Sequence, residues 1–513
     1  MVQHKRYLVD RLDGLLIGNL DFSLSDNNTE GMMDLAKPFI QLFKTPRSQY
    51  VFDVNKNEIL PVSAESFSFL KQCMAGEADV ERSEITEIQN LIQEGYLRTE
   101  SVVQEIRHPY TPYLKYFLDR KIAKITLQVT QGCNLRCKYC IYSENINAHQ
   151  RSHSNKRMSW ETAKKGIDFL RAHSIDSEKV NIGFYGGEPL LEFPLIKKAV
   201  AYAKEVFDGK AISFSITTNG TMLTEEILEF LSTENVQLVI SLDGPKNIHD
   251  QNRVFPDGHG SFDTVMRNVE KIKSCAPEYF NQLGFSMVMD PTNDFDCINE
   301  ITFSGDSLND HNFVAAVVEG DGFSGIASEE FVWKSEYQKF LAFMGTLGRF
   351  DSEKVSAISK SAIHASLGVL KNIKASGPLC PIDAPSGPCI PGQQRLFLSV
   401  DGRFFPCERV SETSSATCIG TLEDGFYFDK AESLLELGKL TSDICRNCWA
   451  FRHCSVCAKR ADDGTSCLSP TKKLQNCKNI RADLYEKMRH FLLCDELSVY
   501  YLTEVERRRN DEM

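Results

Sequence analysis

Between residues 123 and 320 the apolar residues fall into two alternating textures. Short β-rich runs near 124–130, 179–185, 211–217, 236–242, 283–289 and 312–318 are separated by amphipathic stretches of helical period near 159–173, 192–207, 224–233 and 261–274. Strands alternating with helices predict a parallel sheet with crossover helices. Six strands fall short of a closed eight-stranded barrel, so the expected fold class is α/β, a partial (βα)6 barrel with its chemistry at the carboxyl ends of the strands. Residues 1–100 read as a separate unit. The runs 48–54 and 58–62 flank the turn-prone Asn55-Lys56-Asn57 as a hairpin, and Ser63 caps a helix through Phe67 and Leu70. A second helix carries Ile85, Ile88, Leu91 and Ile92 and ends at Gly95, before a returning strand at Tyr96-Leu97. This is a winged-helix layout. Residues 101–122, with Pro109 and Pro112, form a connector between it and the barrel at 123–330. A helical bridge over 331–378 precedes a turn-rich domain over 379–485, with a hairpin at Asp401-Gly402 between Leu396-Phe397-Leu398 and Phe404-Phe405. A closing helix leads into a charged tail over 486–513.

Composition narrows the function. With 42% apolar and 25% charged residues the chain has no run near the roughly 18 apolar residues of a membrane span, so no membrane role is expected. Lys and Arg total 58 against 70 Asp and Glu, and a net charge of −12 repels phosphate backbones. The winged-helix unit also lacks a basic recognition face, so no nucleic-acid partner is expected. The first residues lack the apolar segment of a signal peptide and read as cytoplasmic. Cysteine is the anomaly: of seventeen, ten lie between Cys380 and Cys477. In a reducing compartment so many thiols point to metal ligands, whereas Cys73, Cys275, Cys297 and Cys494 stand alone as plain buried thiols.

The first strand runs into Cys133-Asn134-Leu135-Arg136-Cys137-Lys138-Tyr139-Cys140, a C-x3-C-x2-C spacing that converges three thiolates from one loop. Three cysteines on a four-iron cubane leave one iron open to an exogenous ligand; zinc with three thiolates and water is the rival. The loop, with Tyr139 before its third cysteine, resembles the signature of the radical S-adenosylmethionine (SAM) superfamily. Further segments resemble that family in order. Gly186-Gly187-Glu188-Pro189 after the second strand resembles the segment that receives the SAM amino group. Thr218-Asn219-Gly220 follows the third strand, and Ser241-Leu242-Asp243-Gly244-Pro245 the fourth, Ser241 resembling the ribose-contacting serine. His249, Asp250 and Arg253 come next, the arginine resembling the one that grips the SAM carboxylate. The resemblance implies a cluster held by Cys133, Cys137 and Cys140, SAM bound by Tyr139, Gly186, Gly187, Glu188, Asn219, Ser241, Asp243 and Arg253, and reductive SAM cleavage to a radical that takes hydrogen from carbon. It also implies a small electron donor of flavodoxin or ferredoxin type.

The C-terminal spacing, Cys389, Cys407, then Cys445-x2-Cys448-x5-Cys454-x2-Cys457 and Cys477, brings its C-x2-C pairs too close for a zinc ribbon. It resembles the SPASM domain, the extension that carries two auxiliary iron–sulfur clusters in radical SAM enzymes acting on peptides, although one spacing is a residue shorter than usual. The resemblance implies Cys389, Cys407 and Cys457 on the first auxiliary cluster, with Cys380 as fourth ligand or an open iron, and Cys445, Cys448, Cys454 and Cys477 on the second, three 4Fe-4S clusters in all. Cys418 and Cys467 remain spare. The local text most resembles maturases of cysteine-rich ribosomal peptides that form thioethers, and residues 1–100 resemble their leader-recognition element. A leader would add as a strand, with the edge expected near Tyr50-Val51-Phe52. The expected function is thioether formation in a ribosomally made precursor peptide. The alternatives are another modification by the same radical (carbon–carbon crosslinking, epimerisation or formylglycine formation) and, outside enzymes, an iron–sulfur or zinc redox-sensing regulator.

Overall fold

The computed structural model describes residues 35–140, 154–302, 308, 311–318 and 327–511. Six strands, β5 (Lys124–Thr130), β6 (Lys179–Gly186), β7 (Ala211–Thr218), β8 (Gln237–Ser241), β9 (Gly284–Met289) and β10 (Asn312–Val317), lie side by side in that order, every neighbouring pair parallel. Between them run the crossover helices Trp160–His173, Phe193–Val206, Glu225–Thr233 and Phe262–Cys275, so each expected strand and helix is met to within one residue at either end. Ser159 and Thr224 cap two of these helices by accepting from the backbone N–H three residues on.

The two faces of this α/β sheet differ sharply. Ile125, Leu127, Val129, Ile182, Phe184, Phe214 and Ile216 pack with Ala163, Ile167, Leu170, Ile196 and Val200 of the helices in one core. The alternate residues, on the opposite face, are polar: Lys124 Nζ donates to Ser215 Oγ at 3.2 Å, Ser215 Oγ to Asn181 Oδ1 at 2.9 Å, and Asn181 Nδ2 to Ser213 Oγ at 3.0 Å. Helices on one face and hydroxyl and amide groups on the other are consistent with a partial barrel whose interior is open to a polar occupant.

The sheet does not stop at β5. Strand β12 (Leu396–Leu398) pairs parallel to it, Leu396 opposite Ile125, and β13 (Arg403–Phe405), β14 (Gly420–Thr421) and β15 (Gly425–Phe426) extend it antiparallel. The expected Asp401-Gly402 hairpin joins β12 and β13, and the two-residue strands β4 (Glu105–Ile106) and β11 (Ile382–Asp383) pair with each other in parallel. The cysteine-rich segment therefore continues the barrel sheet and covers what would be an open strand edge.

Near the N-terminus β1 (Ile40–Lys44), β2 (Gln49–Asp53) and β3 (Glu58–Val62) form an antiparallel sheet in the order β1-β2-β3, followed by the helices Ala64–Ala75, capped by Ser63, and Thr86–Gln93. Two expectations are corrected here. Tyr50-Val51-Phe52 lie on the central strand, paired on both sides, so they offer no edge; β3 is an outer strand. Tyr96-Leu97 is no returning strand, because Leu97 has a φ of 60°, in the left-handed region that a strand cannot use. Nor does this sheet stand apart from the rest. Phe43 stacks on Tyr485 at 4.7 Å between ring centroids and meets Trp449 edge-on, and Asn57 bonds to His453 Nε2 at 2.7 Å. Tyr485 belongs to the closing helix, Cys477–Asp511, which runs through most of the expected tail.

Candidate functional site

The carboxyl end of β5 turns directly into the three-cysteine loop, and neighbouring strand ends hold that loop by backbone contacts. Gly187 N–H donates to Thr130 O at 3.0 Å and Glu188 N–H to Gly132 O at 2.9 Å. This approach explains the paired glycines: a Cβ on Gly186 would sit 2.1 Å from Thr130 O, and one on Gly187 2.1 Å from Gly132 O. On the far side Arg136 N–H donates to Val254 O at 2.7 Å and Lys138 N–H to Asn252 O at 3.1 Å.

Side chains complete the frame. Glu188 is fully buried, and its carboxylate accepts from Leu190 N–H at 3.0 Å, Thr218 Oγ1 at 2.8 Å and Asn219 N–H at 2.8 Å, tying the end of β6 to the end of β7. Asn219 Nδ2 donates to Asn134 Oδ1 at 2.8 Å and lies 3.9 Å from Cys133 Sγ, while Asn134 Nδ2 reaches Thr221 Oγ1 at 2.8 Å. Asp243, after β8, is the hub. It accepts from Arg253 Nε at 2.8 Å, Arg253 Nη2 at 3.2 Å, Val288 N–H at 2.9 Å and the Tyr139 hydroxyl, and the guanidinium lies over the Tyr139 ring at 5.5 Å. The aromatic before the third cysteine is thereby fastened to two strand ends. His249 orients the same turn: its Nδ1 accepts from Asp243 N–H at 3.3 Å, leaving Nε2–H to donate to Ser261 Oγ at 2.9 Å. Burial and the Arg253 charge lower its pKa to about 4, so it is neutral near pH 7. Ser241, half-buried, ends β8 on the polar face. Asn134, Thr221, His249 and Ser261 shape the site without having been expected in its ligand set.

The donors are three soft sulfurs with no imidazole or carboxylate in the loop. Burial pushes the Cys133 and Cys137 thiols up to about 12, and Cys140 lies close enough to raise both, as Cys133 does Cys137. Thiols so placed stay protonated unless a metal draws the protons off. Among the described residues no three His, Cys, Asp or Glu side chains close around a single-ion position; the fit to an iron–sulfur group rests on the donor set and on the frame around it. Residues 127–302, which span all of these strand ends, match the model of the Radical SAM superfamily.

The chain carries a radical SAM domain. Through this region it is 32% identical over 174 residues to a serine-type anaerobic sulfatase-maturating enzyme of Bacteroides thetaiotaomicron, covering 33% of this chain and 40% of the relative. It is 29% identical over 221 residues to a radical SAM cyclopropyl synthase of Paramaledivibacter caminithermalis, covering 41% and 45%. The chain thus spans less than half the length of these relatives. The solved structure of native anSMEcpe with bound AdoMet superposes with a TM-score of 0.52 at 20% identity over 73% of this chain and 99% of the other, a likeness of fold.

Outside the radical SAM domain the C-terminal cysteines form two further groups. Cys457 lies close enough to raise the Cys389 thiol, and Cys389 and Cys457 close enough to raise that of Cys407, burial being the larger cause in both. Cys445, Cys448, Cys454 and Cys477 line one pocket, and Cys445 lies close enough to raise the other three thiols, burial again being the larger cause. These are the two sets that the spacing resembles. Cys380 is exposed, its N–H donates to Asp383 Oδ2 at 3.1 Å and its sulfur lies 4.0 Å from Pro378 O. Cys418 packs with Phe397, Phe405 and Val410, and Cys467 is exposed.

Proposed function

We propose that this protein is a radical SAM enzyme that forms thioether links, from cysteine sulfur to carbon, within a ribosomally made precursor peptide. The observation that carries the reading is the pairing of a three-cysteine loop at the carboxyl end of β5 with a second group of three, Cys389, Cys407 and Cys457, on the segment that extends the same sheet. Cys133, Cys137 and Cys140 would hold the SAM-binding cluster; Cys389, Cys407 and Cys457 a cluster with a position left for a substrate thiol; and Cys445, Cys448, Cys454 and Cys477 a fully ligated one. When bound, the first cluster and SAM supply a radical able to take hydrogen from carbon.

The chain's own part is to seat and aim. The Asp243 hub holds Tyr139, Arg253 and the end of β9 in one arrangement, and the glycines of β6 let the loop close against the sheet. The polar face of Asn181, Ser213 and Ser215 offers donors and acceptors to peptide backbone. A leader segment would add beside β3, an outer strand whose Pro61 is the kind of residue an edge tolerates. Across the reaction the substrate would give one hydrogen atom from carbon to the SAM-derived radical and one proton from the thiol, one carbon–sulfur bond would form, and the electron left over would pass to an iron–sulfur cluster, replacing the one used to cleave SAM.

Anaerobic turnover with a cysteine-rich precursor encoded beside this chain tests the reading by product mass. A loss of two hydrogens per link, abolished when precursor thiols are first alkylated, is expected. A product of unchanged mass would identify epimerisation instead, and a two-hydrogen loss that survives alkylation a carbon–carbon link or the oxidation of a serine to formylglycine, which fragmentation of the product tells apart.

A further inference from the structure

The pocket lined by Cys445, Cys448, Cys454 and Cys477 has a lysine built into its wall. Lys473, on the short helix Pro470–Gln475, is 2% exposed. Its ammonium donates to Leu437 O at 3.0 Å, Thr441 Oγ1 at 2.7 Å and Cys445 Sγ at 3.3 Å, and the Thr441 hydroxyl lies 3.2 Å from the same sulfur. Among the described residues no Asp or Glu forms an ion pair with Lys473. A buried ammonium without a counter-charge is costly, and lysines are almost never fully buried unpaired. Arg481 lines the same pocket, so two cationic side chains face four sulfurs and no carboxylate. The pocket is built for a group whose charge is negative.

We infer that Lys473 sets the reduction potential of an iron–sulfur cluster held by Cys445, Cys448, Cys454 and Cys477. The inference rests on the reading of those four cysteines as cluster ligands. Four thiolates give such a cluster net negative charge, and its reduction adds one electron without a proton. An ammonium hydrogen-bonded to a ligating sulfur stabilises the more negative state and raises the potential. The bonds to Leu437 and Thr441 alone would make Lys473 a brace for the turn over Leu437–Thr441. The bond to Cys445 Sγ is the one a brace does not need.

The test uses the full chain, reconstituted anaerobically with iron and sulfide, in a background where Cys133, Cys137 and Cys140 are alanine, so that only the C-terminal groups can hold iron. Iron and sulfide are counted, and the reduced signal is followed by electron paramagnetic resonance against ambient potential. The signal that disappears in Cys454→Ala belongs to the tetracysteine group. Lys473→Met is expected to keep its iron while that signal's reduced-to-oxidised ratio at fixed potential falls about tenfold, about 59 mV for a one-electron couple; Lys473→Arg should stay near the parent. An unmoved potential with full iron overturns the inference and leaves Lys473 a brace. If Cys454→Ala loses no iron, the tetracysteine reading fails instead, whatever Lys473 does. Should Lys473→Met retain less iron than the parent, Lys473→Gln, which keeps hydrogen-bonding capacity without the charge, is read for the same shift.

Discussion

Asp243 is the position where a single substitution should do most to the candidate site without touching a cysteine. Its side chain is 3% exposed and that of Arg253 9%, and the two share a bidentate ion pair. Asp243→Ala leaves the guanidinium without its carboxylate partner in a buried site, which costs about 3–5 kcal/mol, and it also removes the acceptor of the Val288 N–H and one acceptor of the Tyr139 hydroxyl. Arg253→Ala leaves the carboxylate two of its four donors, so it should cost somewhat less. Removing both ends leaves no uncompensated charge, so the double variant should be more stable than the sum of the singles by about 1–3 kcal/mol. Urea titration of the three variants gives the cycle, and iron retained after anaerobic reconstitution reports on the loop. Asp243→Ala is expected to lose iron from the Cys133 loop, because Tyr139 loses the carboxylate that fastens it beside Cys140, whereas Arg253→Ala, which keeps that bond, should lose less. Additive single costs, or full iron in Asp243→Ala, would refute the hub.

Three other outcomes follow from the structure. His249 has a folded-state pKa of about 4 against an ordinary 6.5, so the unfolded chain binds the extra proton first. Its contribution to stability is complete above pH 6.5 and is lost as pH falls toward 4, by roughly 1.4 kcal/mol per unit; thermal melts over that window should show the slope, reduced in His249→Gln. Cys380→Ala should leave the iron content unchanged while Cys407→Ala lowers it, since the Cys380 thiol is exposed beside Pro378 O and Cys407 is raised by Cys389 and Cys457; equal losses would make Cys380 a ligand. Hydrogen–deuterium exchange with the precursor's leader should slow at β3 and not at β1; protection at β1 instead would reverse the assigned edge.

The barrel was legible because β-rich runs and amphipathic helices leave their periods in the sequence, as at Lys124–Thr130 and Trp160–His173. The N-terminal edge was not. The short Ile40–Lys44 run was not read as a strand, and pairing it to β2 moved Tyr50-Val51-Phe52 from edge to centre. Leu97 likewise looks like a strand residue and takes a left-handed conformation that no pattern announces. At the site the order of motifs could be read, because each sits at a strand end. Their partners could not: Arg253 resembles a carboxylate grip for SAM, yet two of its guanidinium nitrogens, Nε and Nη2, bond to Asp243, and Glu188 resembles an amine receiver while its carboxylate accepts three bonds from its own neighbourhood. Such pairings arise where separate strands meet, which local sequence does not encode. The division of the C-terminal cysteines into two groups comes from the resemblance to the SPASM pattern, whereas Lys473 gives no signal in the sequence and is seen only where burial places it against Cys445.

On the proposed reading Cys133, Cys137 and Cys140 hold a cluster that cleaves SAM. Anaerobic incubation of the reconstituted chain with dithionite and SAM, read by chromatography of the nucleoside products, decides whether they do. The parent chain is expected to release 5′-deoxyadenosine and Cys137→Ala none. Parent protein that binds iron yet releases no 5′-deoxyadenosine, or a Cys137→Ala variant that still releases it, would overturn the assignment.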